Sequence, residues 1–399
     1  MTTQSFTFRL HHRDGGARAG RFTTPHGSVR TPIFMPVATQ ATIKTLTPHE
    51  VMDLGAQIVL GNAYHLYLRP GVDAVDRLGG LHEFMRWPRP ILTDSGGFQA
   101  FSMGAFRKVD DDHIRFRSHI DGSEHIFTPE LAITNQQGLG ADIIMCLDQC
   151  IAYGAERTEV EDAMHRTHRW ASQCYEAHYG RPAPAYAENA AKQALFGIVQ
   201  GGAFSDLRQR SADFIASIPF PGYAIGGLAV GESKSQMYET TQQVTELLPP
   251  DKPRYLMGVG SPEDLVEGVS QGVDMFDCVL PTRVARNGAL FTRTGRVNIA
   301  NRRFAEQNSP LEDGCVCYAC ENFTAAYLWH LFKAKEVLGL RLASVHNLHF
   351  ILRLMEGIRQ AILENRFESF RRDFHDTYRP TDEATRQRQK ERWLAARGG

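Results

Sequence analysis

Long hydrophobic runs are missing from this sequence: no apolar stretch approaches the roughly 18–20 residues needed to cross a bilayer. The opening "MTTQSFTFRL" lacks the basic-then-apolar order of a secretory signal. A cytoplasmic protein with no membrane partner is the expectation. An excess of either charge is missing too, with 44 basic against 45 acidic residues. That balance argues against a globally basic nucleic-acid coat and against a polybasic membrane anchor, so any anionic partner must meet a local patch. Low-complexity linkers and repeats of about 20–50 residues are also absent, which leaves one large domain with additions as the organisation of the 399 residues. A fully paired disulfide framework is excluded by an odd count of seven cysteines. Three of them crowd into "CVCYAC" (315–320), a pattern that suits a metal site in a reducing compartment.

What the chain does contain is eight short apolar segments at regular intervals: "PIFMPV" (32–37), "QIVLGN" (57–62), "ILTD" (91–94), "DIIMCLD" (142–148), "LFGIVQ" (195–200), "AIGGLAV" (224–230), "YLMGVG" (255–260) and "VDMFDCVL" (273–280). Stretches of helical periodicity separate several of them, such as "VEDAMHRTHRWASQCYEAH" (160–178) and "SKSQMYETTQQVTELL" (233–248). This is the alternation of parallel strands with crossover helices. Periodicity alone does not separate a (β/α)8 TIM barrel from a doubly wound open sheet, but the strand count favours the α/β barrel. Asp94, Asp148, Gln200, Gly227 and Asp277 all fall at or near the carboxyl ends of these segments, where barrel enzymes gather their active sites. Before the barrel, "FTFRLHHRDGGARAGRFTTPHG" alternates and turns on glycines like an antiparallel hairpin. The resulting division is a hairpin cap over 1–30, a catalytic barrel over 31–304, an inserted zinc-binding subdomain over 305–350, and C-terminal helices and tail over 351–399. The polar tail "RPTDEATRQRQKERWLAARGG" is expected to be a fraying helix facing solvent.

Three features carry chemistry. In "LTDSGGFQ" a strand runs into Asp94 and then two glycines and a ring, which would let a flat ligand lie against the backbone beside an acid. Asp277 sits between Phe276 and Cys278, an apolar frame that limits solvation of its carboxylate; two such acids suit a retaining displacement at a sugar carbon. Cys315, Cys317 and Cys320 with either His346 or His349 make a closed tetrahedral set for Zn2+, a staple with no open position for water. Beyond Asp277, "PTRVARNGALFTRTGRVNIANRRF" (281–304) holds Arg283, Arg286, Arg293, Arg296, Arg302 and Arg303 without one acid, a strip able to hold a phosphate backbone.

Taken in order, "GNAYHLYLRPG", "LTDSGGFQ", "DIIMCLDQC", "GIVQGG", "GYAIGGLAVGE", "YLMGVG", "DMFDCVLPTRVARNG" and "CVCYAC" resemble the tRNA-guanine transglycosylases of bacterial type, also called queuine tRNA-ribosyltransferases, from about residue 20 to about 370. The resemblance implies a zinc-bearing (β/α)8 barrel that swaps the wobble guanine of certain tRNAs for a 7-deazaguanine without cutting the backbone. It places the nucleophile on Asp277 and the proton acceptor on Asp94. Base binding falls on Asp94, Ser95, Gly96, Gly97, Asp148, Gln200, Gly227 and Leu228, with Phe98 and Met257 sandwiching the ring. The tRNA-binding stretches become Gly258, Val259, Gly260, Ser261, Pro262, Glu263 and Asp264, then Thr282, Arg283, Val284, Ala285 and Arg286. The metal ligands become Cys315, Cys317, Cys320 and His346. A homodimer through "FTAAYLWHLF" (323–332), with Tyr327 and His330 close together, is a further implication.

Departures from the family pattern are Gln149, where Glu is usual, and Ala63, where Thr is usual; neither deletes a group the chemistry requires. Val230 and Cys150 stand where the family's queuine users tend to have glycine and an aliphatic residue, which favours the smaller 7-aminomethyl-7-deazaguanine as incoming base. The alternatives are the same exchange using queuine, a noncatalytic tRNA-binding subunit, and a glycoside hydrolase. The presence of both Asp94 and Asp277 argues against the subunit. None of the four tryptophans lies at a strand end to stack a sugar, which argues against the hydrolase.

Overall fold

Side chains along a strand alternate between faces, and here the alternation sorts the apolar segments into two cores. Ile33, Met35, Leu92, Ile143, Met145, Phe196, Ile198, Ala224, Tyr255 and Met275 share one buried cluster, while their chain neighbours Phe34, Ile91, Ile144, Leu195, Val199, Tyr223, Ile225, Leu256 and Phe276 share another. The first set fills the axis of a closed barrel and the second packs under its helices. The computed structural model describes residues 6–102 and 108–381. Its eight barrel strands are Ile33–Ala38, Val59–Gly61, Ile91–Thr93, Ile143–Met145, Ala194–Val199, Gly222–Ile225, Arg254–Leu256 and Met275–Cys278, paired in that order and closed on themselves. Closure is made by the eighth strand on the first, with Met275 opposite Ile33 and Asp277 opposite Met35. The barrel expected from the strand count is the one observed.

The amino-terminal end of the barrel is stoppered by an antiparallel sheet of Thr7–Asp14, Ala17–Thr24 and Gly27–Thr31, one strand more than the expected hairpin. Phe22 and Val29 from this sheet join the axial cluster, so the barrel is filled from below. Asp142 locks the stopper in place from the start of the fourth strand. Its buried carboxylate accepts from His26 Nδ1 at 2.8 Å, His82 Nε2 at 3.1 Å and the Ile91 amide at 2.9 Å, and these partners hold its pKa well below the usual carboxylate range against the opposing effect of burial. The long helix Val337–Leu363 packs against the first strand and the cap sheet, and Arg359 Nη1 donates to the carbonyls of Gly20 and Thr31. That helix runs without a break through residue 350, so no linker separates the cysteine-bearing region from the helix that closes the barrel.

Two elements were not anticipated. A three-stranded sheet of Lys108–Val109, Ile114–Arg117 and Glu124–Phe127 is inserted after the third barrel strand. A hairpin of Ala289–Thr292 and Gly295–Asn298 carries part of the arginine strip. After the barrel, Leu290, Ile299, Phe304, Leu328, Leu331 and Leu342 form a separate cluster around Cys317 and Cys320. The expected tail helix lies outside the described residues from 382 onward. Among the described residues, no helix is long and apolar enough to cross a membrane.

Candidate active site

The period of two that fills the barrel also aims the polar residues. Asp94 lies two positions beyond Leu92, Gln200 two beyond Ile198 and Asp277 two beyond Met275, so each continues an axial row at the carboxyl mouth. Asp148 arrives by a short extension past the fourth strand and is buried. The structure therefore brings together the four side chains expected to react with or read a base.

Asp277 is held by one oxygen. Tyr255 Oη donates to Oδ1 at 2.6 Å, and the Gly258 amide donates to the same Oδ1 at 2.8 Å. Burial pushes the Asp277 carboxyl up, with these two donors working in the opposite direction. Tyr255 itself is pushed well above the ordinary phenol value by burial and by the Asp277 charge, so it stays a donor. Oδ2 carries neither bond and is the oxygen available to a ligand.

Asp94 is gripped more fully. Its Oδ1 accepts from the Ala63 amide at 2.8 Å, and its Oδ2 accepts from Asn62 Nδ2 at 2.7 Å and Gln99 Nε2 at 3.1 Å. Asn62 is placed for this by capping the helix Ala63–Leu68, its Oδ1 accepting from the His65 amide at 3.2 Å. Burial is the largest influence on Asp94 and the Asp277 charge adds to it; against the opposing hydrogen bonds they push the carboxyl up to about 7. Ala63 thus serves through its backbone N–H, which every residue but proline supplies.

Asp148 Oδ2 accepts from Gln200 Nε2 at 2.7 Å, and burial pushes this acid up to about 6. The Gln200 amide lies along the Gly226–Gly227 backbone: a Cβ on Gly226 would sit 2.6 Å from its Nε2, and one on Gly227, where φ is +68°, 2.4 Å from its Oε1. Leu228 is buried and Met257 half-buried, while the Phe98 ring is 47 % exposed at the mouth. Gln149 Oε1 accepts from Arg166 Nη1 at 2.5 Å. Beside Gly227, Leu228 and Val230 opens a cavity of about 300 Å³ that also includes Tyr153, Phe204 and Glu232 in its wall.

Several of the expected site residues have crowded or buried surroundings. Gly96 and Gly97 do not leave open space on their Cβ sides: a Cβ on Gly96 would meet Tyr64 and Phe127 at 3.1–3.2 Å, and one on Gly97 would meet Asp148 O and Leu147 at 3.0 Å. Their small size lets the Asp94 loop pack against its neighbours, and Gly96 at φ +81° also needs it for conformation. Ser95 is buried, its Oγ accepting from the Gly97 amide at 3.4 Å. Of the expected RNA-contacting stretches, Gly258 and Arg283 are exposed and Val284 and Arg286 half-buried; Val259, Gly260, Ser261, Pro262, Glu263, Asp264, Thr282 and Ala285 are buried and offer an RNA little side-chain surface. Glu263 and Asp264 turn inward, each accepting from Lys234 Nζ at 2.6 Å. Arg293 is drawn to Glu312, and Arg303 lies over Phe304 with its guanidinium carbon 4.6 Å from the ring centroid, so the strip is not uniformly free. Sequence reasoning missed Asn62 and Tyr255. Both were legible in principle, Asn62 as a cap after a strand and Tyr255 as an axial position beneath Asp277.

The cysteine cluster is preformed. One donor atom from each of Cys315, Cys317, Cys320 and His346 lies within 4.8 Å of all the others, with His346 Nδ1 at 3.9, 3.5 and 3.4 Å from the three sulfurs in that order. His346 Nε2 donates to Phe291 O at 2.7 Å, which fixes the tautomer and leaves Nδ1 as an acceptor facing the thiols. Three soft sulfurs and one oriented imidazole fit a tetrahedral metal ion. His349 stands outside the cluster.

The chain matches the family description "Queuine tRNA-ribosyltransferase" over residues 14–380. Among curated relatives carrying that same name, one from Herpetosiphon aurantiacus is 56% identical over 383 residues, covering 96% of this chain and 95% of the relative. Another from Pelotomaculum thermopropionicum is 55% identical over 374 residues, covering 94% and 98%. A third from Dehalococcoides mccartyi is 52% identical over 396 residues, covering 99% and 98%.

The one-oxygen grip on Asp277 has a titration signature. The Tyr255 hydrogen bond favours the ionised acid, so in Tyr255→Phe the Asp277 carboxyl should titrate at a higher pH than in the unaltered protein, and any acid limb that reports it should move upward. Carbonyl-carbon NMR of the labelled aspartates measures this; an unchanged or lower midpoint contradicts it.

Proposed function

Because the chain belongs to the queuine tRNA-ribosyltransferase family, we propose that it exchanges the wobble guanine of tRNA for 7-aminomethyl-7-deazaguanine through a covalent intermediate on Asp277. It is a pentosyltransferase of tRNA-guanine transglycosylation in queuosine biosynthesis. The observation that carries the mechanistic reading is the pairing of two acids in one mouth with opposite freedoms. Asp277 keeps Oδ2 unencumbered while Tyr255 and Gly258 hold Oδ1. Asp94, pushed up to about 7, can hold or release a proton near neutrality.

In the first displacement Asp277 Oδ2 bonds to the anomeric carbon of the wobble ribose as the glycosidic bond to guanine breaks, and Asp94 supplies the proton that guanine takes with it. In the second, the incoming base gives its ring N–H proton to Asp94 and bonds to the same carbon as the ester to Asp277 breaks. Two inversions give retention. Between the steps Tyr255 and Gly258 face the oxygen that becomes the ester carbonyl, and the same donors stabilise the carboxylate when it leaves. We assign base reading to Asp148, Gln200 and the Gly227–Leu228 backbone, stacking to Phe98 and Met257, and phosphate contact to Arg283 and Arg286. The resident ion at Cys315, Cys317, Cys320 and His346 we take to be structural zinc, which supplies no step. We also place the protein in the cytoplasm with its tRNA. A homodimer through the segment 323–332 is part of the same reading; there the exposed Tyr327 stacks near Phe323 at 5.3 Å and His330 at 6.4 Å.

The choice of base rests on Val230. It lines the cavity beside Leu228 and is half-buried, and a packed methyl that must move for a bulky 7-substituent costs about 1–3 kcal/mol. That corresponds to a preference of roughly tenfold to hundredfold. Incubation with radiolabelled guanine and tRNA should incorporate label, and in competition 7-aminomethyl-7-deazaguanine should outcompete queuine, with Val230→Gly shifting the balance towards queuine. No incorporation removes the function; queuine winning with the unaltered protein removes the base assignment alone.

The metal reading has its own check. Elemental analysis of folded, active protein should find one zinc per chain, and Cys320→Ala should lose the ion and lower the melting temperature. Active protein free of metal would contradict it.

A further inference from the structure

The helix Ser205–Ser217 turns two buried polar side chains, Arg208 and Ser211, towards the ends of the fifth and sixth barrel strands. Three residues apart, they share one helix face. Ser211 Oγ accepts from the backbone N–H of Gln200 at 3.1 Å and lies 3.1 Å from His168 Nε2; burial lowers His168 to about 4, so that ring is neutral at pH 7.

Arg208 is the more unusual of the two. Its guanidinium is fully buried and meets four backbone carbonyls: Nε donates to Gly202 O at 2.8 Å, Nη1 to Val199 O at 3.0 Å and Gly226 O at 2.8 Å, and Nη2 to Gly227 O at 3.4 Å. None of these four acceptors is a carboxylate, although buried guanidinium groups are ordinarily paired with an acid. Burial lowers Arg208 to about 10, which still leaves it charged at neutral pH. A charge kept out of water in this way demands a geometric return, and the identity of its acceptors supplies one. Val199 immediately precedes Gln200 and Gly202 follows it by two; Gly226 and Gly227 immediately precede Leu228. Between these two loops the Gln200 amide already lies so close to Gly226 and Gly227 that neither could carry a Cβ without atoms 2.4–2.6 Å apart.

From this geometry we infer that Arg208 is a positioning residue for base selection: it ties the loop bearing Gln200 to the loop bearing Gly227 and Leu228, fixing the gap into which one planar base edge fits. Arg208 touches no reacting atom. The inference rests on the base-reading assignment proposed above, and its signature is a change in base affinity without a change in tRNA affinity.

The test uses full-length, metal-loaded protein with tRNA and radiolabelled guanine, comparing the unaltered chain with Arg208→Lys and Arg208→Gln. A lysine ammonium can reach only some of the four carbonyls, and a glutamine amide fewer. Both variants should fold by circular dichroism, and the KM for guanine should rise about tenfold to hundredfold, more for Gln than for Lys, because small misplacements in a binding site are amplified. The KM for tRNA should stay within about twofold of the unaltered value, the behaviour of lost binding to one substrate only. A guanine KM unchanged in both variants, a parallel rise for guanine and tRNA, or failure of both variants to fold would each overturn the role. Absence of exchange by the unaltered chain would instead overturn the function on which it rests.

Discussion

The site depends on one geometric constraint: a side chain two positions beyond the last axial apolar residue of a barrel strand must still face the axis. Leu92, Ile198 and Met275 fill the barrel, and Asp94, Gln200 and Asp277 inherit their direction where the strands open to solvent. These three side chains reach the mouth by strand direction, whereas Asp148 arrives by a short extension past the fourth strand. Phe22, Val29 and the Asp142 lock keep the other end shut, so the axial stack has one open face.

Placing three acids in one mouth creates an electrostatic problem, and the chain solves it differently at each. Asp277 is pushed up by burial, opposed by two donors on one oxygen, and the other oxygen carries neither of these bonds. Asp94 receives three donors yet is still pushed up to about 7, because burial and the Asp277 charge both disfavour its ionised form. Asp148 leans on the Gln200 amide and sits at about 6. The environments drive apart the properties of chemically identical groups, which suits the proposed division between a nucleophile and a proton carrier.

Much of this was legible in the sequence. Eight apolar segments of strand length, with acids at their carboxyl ends, were enough for the barrel and for the grouping of Asp94, Asp148, Gln200 and Asp277. The cysteine spacing was enough for a metal site, but spacing left His346 and His349 equivalent, and the hydrogen bond from His346 to Phe291 distinguishes them within the fold. The inserted sheet over 108–127 was hidden because its strands are short and half-exposed, so period-two alternation there reads as a polar loop. Sequence cannot say which neighbours lie on the Cβ sides of Gly96 and Gly97; in the fold these are Tyr64, Phe127, Leu147 and Asp148. Arg208 was invisible for a related reason, since it acts across strands whose separation only closure of the barrel defines.

The proposed exchange requires one protein atom to carry the ribose between the two bases. The most direct measurement is mass spectrometry of peptides from protein denatured during turnover with tRNA. The nucleotide-bearing peptide should contain Asp277, and the adduct should vanish in Asp277→Asn while that variant still binds tRNA. An adduct that survives the substitution, or one mapped to Asp94, would contradict it.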